Sequence, residues 1–266
     1  MKKFILQIAI LIAIFFASLF FIRKVNWMKL FQVEKIAKST EEKLGDLIWK
    51  SYSATTTEVT SHQIIYAVDS IVNKICKAND IDTTSIKIHV IDKDEINAFA
   101  LPGNHLAIYS GLIKDCENAD ELAGVIAHEL AHMQKNHVMK KLVKEIGMGV
   151  LIGLTTGNGN GGAIGEIIHM LSSSAYDRKL ESEADITGVD YLMNAKIDPE
   201  GLAHFLFRMA TSENDIPKAI YWITTHPESE ERAKDIMARV KVSKNQNYPK
   251  SSTENWDKIK NQLDKE

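Results

Sequence analysis

The stretch Ala127-His128-Glu129-Leu130-Ala131-His132 constrains this chain more than any other feature. Residues four apart share one face of a helix, so His128 and His132 can aim their imidazoles at a single metal ion, with Glu129 beside an open coordination position. Around them Ala123, Val125, Ile126, Leu130 and Met133 supply apolar surface, which predicts a largely buried helix starting at Asn118 or Asp120. A hydrolytic zinc takes three protein ligands and keeps a fourth position for water, so the motif needs a third ligand. Glu181, 49 residues beyond His132, opens Glu181-Ser182-Glu183-Ala184-Asp185. On a helix Glu181 and Asp185 lie one turn apart. Glu181 is positioned to bind metal, and Asp185 to accept a hydrogen bond from the ring N–H of a ligand histidine. A metzincin would carry a third histidine at position 138, where this chain has Val138.

A chain of 266 residues with 45% hydrophobic content buries one good-sized core, or a domain plus a membrane anchor. The formal net charge of -3 and pI near 6.3 argue against a nucleic-acid partner, which demands a basic face. The Lys140, Lys141 and Lys144 cluster reads as a solvated helix face. Cys76 and Cys116 show no metal-site spacing; they permit one disulfide and read more simply as buried thiols. Residues 4–22 are apolar apart from Gln7 and Ser18, long enough to cross a bilayer as a helix, with Lys2-Lys3 before and Arg23-Lys24 after. A cleaved signal peptide would have a shorter apolar run ending in a small-x-small site, so residues 1–25 are predicted to be an uncleaved single-pass anchor. Positive charge on both flanks leaves its orientation open.

From residue 26 to Tyr52 the pattern is helical, and Thr60-Ser61 caps a second helix with a core face of Ile64, Val68, Val72 and Ile75. The period then changes to alternation. Ile86 to Val90, Ala98 to Leu101 and Leu106 to Tyr109 read as three strands, the last two joined by a Pro102-Gly103-Asn104 turn. After the motif helix, two short apolar pieces, 146–154 and 163–171, flank a glycine run at 157–162. Neither piece spans a bilayer. They read as a surface excursion packed partly over the cleft, or as an apolar edge that touches membrane or gates substrate. Further helices are predicted from Ala175 to Met193, from Asp198-Pro199 to Thr211, and from Glu228 to Val240. The polar residues 243–266 read as a flexible tail, leaving one catalytic domain at 26–242. The fold class is α+β, mainly helical, with a small three-stranded sheet ahead of the active helix.

Four blocks carry a family resemblance: Asn97-Ala98-Phe99-Ala100-Leu101-Pro102-Gly103, then His128 to His137, then Glu181 to Asp185, then Thr225-His226-Pro227 with Arg232. Together they resemble the gluzincin metallopeptidases that include the type I CAAX prenyl endopeptidases, the bacterial periplasmic quality-control proteases and the mitochondrial inner-membrane stress protease. The departure is Asn104, where the family often has a second glycine. The resemblance implies one Zn2+ per chain on His128, His132 and Glu181, with Glu129 as general base and Asp185 orienting His128. It also implies His226 and Arg232 as donors to the charge developing on the scissile carbonyl. His226 can alternatively cap the following helix, or bind the metal as an extra ligand and hold the enzyme off. The strand carrying Asn97, Ala98, Phe99 and Ala100 is implied to lay out a protein or peptide substrate in extended form through main-chain hydrogen bonds. The family's single-anchor members imply a periplasmic catalytic domain at the bacterial inner membrane. His137, five residues past His132, turns away from the ligand face of a continuous helix and reads as structural. His89 and His105 read as ordinary surface or core histidines.

The reading is a membrane-anchored zinc endopeptidase acting on unfolded or membrane-associated proteins. The rival is a zinc-binding chaperone or scaffold with a closed site, and a second rival is a hydrolase of small amides, which needs an enclosed pocket. Oligomeric state and natural substrates are not encoded in any motif.

Overall fold

In the computed structural model, residues 38–157, 162–211, 216–242 and 248–264 are described, together with Gln7. The apolar run 4–22, the helical reading of 26–37 and residues 158–161 of the glycine run lie outside the described residues. No helix among the described residues is long and apolar enough to cross a membrane.

The chain from residue 38 forms one unit. Helix α1 (Lys38–Ser53) buries Leu44, Ile48 and Tyr52, one turn apart, and α2 (His62–Ala78) buries Ile64, Val68, Val72 and Ile75 with the same helical spacing. Strands β1 (Lys87–Ile91), β2 (Ala98–Leu101) and β3 (His105–Tyr109) form a sheet of order β1-β3-β2. β3 runs parallel to β1 and antiparallel to β2, with Ala98 opposite Ile108 and Ala100 opposite Leu106. The tight β2–β3 connection needs left-handed backbone at two consecutive residues, φ 68° at Gly103 and 61° at Asn104. Asn is among the side-chain-bearing residues that enter that region most readily, so the departure at Asn104 leaves the turn intact.

Then follow α3 (Ser110–Asp115), α4 (Ala119–Gln134), α5 (His137–Glu145), α6 (Met148–Thr155), α7 (Gly162–Ser173), α8 (Arg178–Asn194), α9 (Glu200–Thr211), α10 (Ile216–Thr225), α11 (Ser229–Val242) and α12 (Thr253–Leu263). Asn118 caps α4 by accepting from the backbone N–H of Asp120 and of Glu121, both at 3.0 Å. α4 is the central helix, packed against β2, α2, α8 and α9 and buried continuously from Glu121 to Met133. Two glycines allow that density: a Cβ on Gly124 would lie 2.7 Å from Leu202 of α9, and one on Gly188 would lie 3.2 Å from the backbone nitrogen of His128. The apolar excursion resolves into α6 and α7. α7 packs on β2, α1 and α10, and all four residues of β2 are buried.

The C-terminal stretch departs from the expected flexible tail. Residues Thr253–Leu263 are helical, with Trp256 and Leu263 buried seven residues apart on one face. The Trp256 indole donates to the carbonyl of Cys116 at 2.9 Å, docking α12 on α3 and α2. Cys76 and Cys116 are both free and buried.

Candidate metal centre

α4 places His128 and His132 one turn apart with their Nε2 atoms 3.0 Å from each other. α8 brings Glu181 to them, Oε2 lying 3.5 Å from His128 Nε2 and Oε1 3.4 Å from His132 Nε2. His226, in the elbow between α10 and α11, completes the group. Its Nδ1 lies 3.2 and 3.3 Å from the two Glu181 oxygens, and its Nε2 lies 3.4 Å from Glu129 Oε1. The potential ligand atoms of His128, His132, Glu181 and His226 all lie within 4.8 Å of one another, and all four residues are buried. Glu129 Oε2 accepts from the backbone N–H of Ala100 at 3.0 Å, tying the motif helix to strand β2. Its other oxygen is buried without a hydrogen-bond partner. Burial raises the Glu129 carboxyl to about 7 and lowers the His226 imidazole to about 4.

Residues 66–240 match Peptidase family M48. The chain belongs to that family. Similar proteins include the mitochondrial metalloendopeptidase OMA1 of Schizosaccharomyces pombe, 28% identical over 203 residues, which cover 75% of this chain and 57% of that protein. The beta-barrel assembly-enhancing protease of Yersinia pestis is 24% identical over 229 residues, covering 81% of this chain and 46% of its own length. Metalloprotease YcaL of Escherichia coli is 30% identical over 179 residues, 64% of this chain and 69% of that protein. The chain thus spans about half the length of the first two relatives.

The donor set of this M48 chain fits a divalent metal. Two imidazole nitrogens and a carboxylate converge within hydrogen-bonding distance, a mixture that suits zinc. Charge agrees: the buried carboxylates Glu129, Glu181 and Asp185 outnumber the buried cations Arg232 and Lys141, an excess of negative charge that suits a bound cation.

The four blocks read from the sequence meet here, but in two cases the partners differ from expectation. Asp185 Oδ1 does lie 3.0 Å from His128 Nδ1, although the pair is poorly aligned for a hydrogen bond. Asp185 is instead clamped by Arg232, whose Nε and Nη2 donate to its two oxygens at 2.7 Å each. Arg232 Nη1 also lies 2.6 Å from Glu181 Oε2. The guanidinium expected to face a scissile carbonyl is thus engaged with two carboxylates. Burial works against a charged Asp185, but Arg232 outweighs it and holds the carboxyl at about 2.

The expected direction of His137 is wrong. α4 ends at Gln134, Asn136 adopts left-handed backbone with φ 55°, and the His137 ring turns back to put Nδ1 3.1 Å from His132 Nδ1. Asn97 precedes β2 and donates from Nδ2 to the carbonyl of Ser172 at 2.9 Å, pinning the end of α7 beside the strand. Ala98, Phe99 and Ala100 lie under that helix.

Two residues of the site carry no sequence mark. Tyr176 stacks on His132, ring centroids 4.1 Å apart, and Trp222 stacks on His226 at 4.2 Å. Trp222 was legible only as an aromatic four residues before His226. Tyr176 sits in a coil between two helices where no periodicity applies.

Proposed function

We propose that the chain is a membrane-anchored zinc metalloendopeptidase hydrolysing peptide bonds in unfolded or membrane-associated proteins. The observation that carries this reading is the convergence of His128, His132 and Glu181 with the otherwise unpartnered Glu129 oxygen beside them. His128, His132 and Glu181 would hold one Zn2+. Bound there, zinc polarises a scissile carbonyl and makes water acidic enough to deprotonate near neutral pH.

Glu129, whose Oε1 is buried beside the ligand atoms, would take a proton from the attacking water and deliver it to the leaving amine. His226 would stand beside the developing oxyanion, its Nε2 3.4 Å from the base and its ring braced by Trp222. Arg232 acts one step back: it holds Glu181 and Asp185 in place and ionised.

Substrate would pair with β2. The Tyr109 N–H donates to Asn97 O at 3.0 Å, so the β2–β3 ladder alternates such that Ala98 and Ala100 turn their N–H and C=O groups away from β3; the Ala100 N–H is taken by Glu129, which leaves the Ala98 groups and the Ala100 carbonyl to pair with substrate. An extended peptide reads mainly backbone there, so recognition tolerates many sequences. The relatives, a mitochondrial metalloendopeptidase, a metalloprotease and a beta-barrel assembly-enhancing protease, support a protein substrate. Residues 1–25 are the proposed single-pass anchor, residues 26–242 the peptidase domain, and the periplasmic side of a bacterial inner membrane the proposed location.

One observation favours the rival reading of a closed zinc protein: β2 is wholly buried and its flank is covered by α7. Both readings meet the same test. Cleavage of an unfolded protein is measured for the wild type and Glu129→Gln, with and without chelator. Chelator-sensitive cleavage by the wild type alone supports the peptidase, and equal traces from both proteins under every activating condition sink it. Protease accessibility of the domain in spheroplasts, compared with intact cells, tests the location.

A further inference from the structure

His128 and His132 sit one turn apart on α4, yet their outer nitrogens meet different surroundings. His128 Nδ1 faces Asp185 at 3.0 Å. His132 Nδ1 faces a second imidazole, His137 Nδ1, at 3.1 Å, and His137 Nε2 continues to Glu183 Oε2 at 3.3 Å. Both histidines are fully buried, while the Glu183 side chain is 46% exposed.

Donor and acceptor counting fixes the protons. A neutral imidazole carries one N–H and one lone pair. His132 turns Nε2 toward His128 and Glu181, so a metal held there takes the Nε2 lone pair and the His132 proton sits on Nδ1. His137 Nδ1 then has to accept that proton, which places its own N–H on Nε2, directed at Glu183. We propose that His137 is a positioning residue for the metal ligand His132, the middle of a relay running from the Glu183 carboxylate through His137 to the metal-binding ring. This rests on the metal-centre reading above.

The rest of the surroundings restrict His132 in a complementary way. Tyr176 stacks on its ring with an interplanar angle of 30°, which limits tilting, and Lys141 Nζ lies 4.3 Å from the Tyr176 ring centre. Stacking leaves rotation within the ring plane free. A hydrogen bond at Nδ1 removes that freedom. A residue that merely filled space at 137 would leave the buried His132 N–H without an acceptor, a costly arrangement.

The full chain is loaded with Zn2+, and zinc loss to an excess of chromogenic chelator is timed for the wild type, His137→Leu, His137→Asn and Glu183→Ala, with circular dichroism on each. His137→Leu should lose zinc about tenfold faster or more, as loss of an outer-shell partner does elsewhere. Asn places Oδ1 where Nδ1 stood and can still accept, so His137→Asn should remain within about threefold of the wild type. Glu183→Ala should fall between. Equal rates for the wild type and His137→Leu overturn the proposal, as does equal acceleration by Leu and Asn, which would mark a packing role. If His137→Leu does not fold, Glu183→Ala at its half-exposed position decides, and zinc loss unchanged from the wild type overturns the relay. A wild type that holds no zinc removes the metal centre and the relay together, and so is distinct from the other failures.

Discussion

Acidification should loosen this protein through two histidines far in sequence from the metal centre. On the sheet face under α1, Trp49 stacks on His89 with ring centroids 3.5 Å apart, and His89 Nε2 lies 2.9 Å from His105 Nδ1. The row is closed at both ends. Glu58 Oε1 lies 3.0 Å from His89 Nδ1, while Asp46 and the Lys87 ammonium lie 3.1 and 3.2 Å from His105 Nε2. With Lys87 donating to His105, each ring passes one hydrogen bond along and both are neutral. Burial, and then the Lys87 charge, lower the His105 imidazole from 6.5 to about 4. The unfolded chain therefore binds a proton at His105 below pH 6.5 that the folded chain refuses until about pH 4. Stability falls with pH across that window.

Between pH 7 and pH 5 the His105 contribution amounts to about 1.8 kcal/mol lost, or about 4–7 °C in Tm for a domain of this size. Other groups titrate in the same range, and Glu129, raised to about 7 by burial, works in the opposite direction. The measurement is therefore a difference. Melting curves of the wild type and His105→Gln are recorded at pH 7, 6 and 5 in buffers of equal ionic strength. The variant should be less stable at pH 7 but should lose about 4–7 °C less on going to pH 5. Parallel pH dependences would refute the reasoning, because groups common to both proteins cancel and only the row at His105 differs.

Arg208 donates from Nη2 to Glu121 Oε2 and to Asp115 Oδ2, each at 2.8 Å, and Glu121 is fully buried. Arg208→Met should cost about 3–5 kcal/mol in denaturant unfolding, and Glu121→Gln in the same chain should recover much of it. Gly124→Ala, whose Cβ would fall 2.7 Å from Leu202 Cα, should destabilise by about 1–3 kcal/mol, read by thermal melting. Trp256→Ala should cost about 3–5 kcal/mol and free α12 for proteolysis at the C-terminal end, detectable by mass spectrometry. Glu181→Ala should lose bound zinc while Glu129→Gln retains it; metal analysis of the two purified proteins checks this, and full zinc in the first would strike Glu181 from the ligand set.

Where one local rule governed a segment, the sequence was a good guide. Asn118 caps α4, the Pro102-Gly103-Asn104 turn joins two strands, and four-residue spacing puts His128 beside His132 and Glu181 in line with Asp185. What escaped it depends on contacts with no period. Arg232 meets Asp185 across 47 residues, a pairing that motif order alone assigns to substrate. His137 was misplaced because a helical wheel was continued through a left-handed Asn136. α12 looked like a polar tail because two apolar residues seven apart gain nothing until Cys116 and its neighbours offer them a surface. The histidines at 89 and 105 belong to different strands, so their adjacency exists only through the parallel register of β1 and β3.

These cases meet on α8. Glu181, Glu183 and Asp185 stand two residues apart, so on a helix each points about 200° from the next and the first and last share a face. That geometry splits their work. Glu181 and Asp185 turn inward together, where Arg232 from α11 can hold both at once, and Glu183 turns outward to the rim, where His137 reaches one of its oxygens and Lys135 the other. Rotating α8 by one residue would break the contacts of both ligand histidines in a single step. The close packing at Gly188, with room for no Cβ against the His128 backbone without local adjustment, opposes that rotation. The register of α8 against α4, more than any single hydrogen bond, therefore sets the shape of the centre.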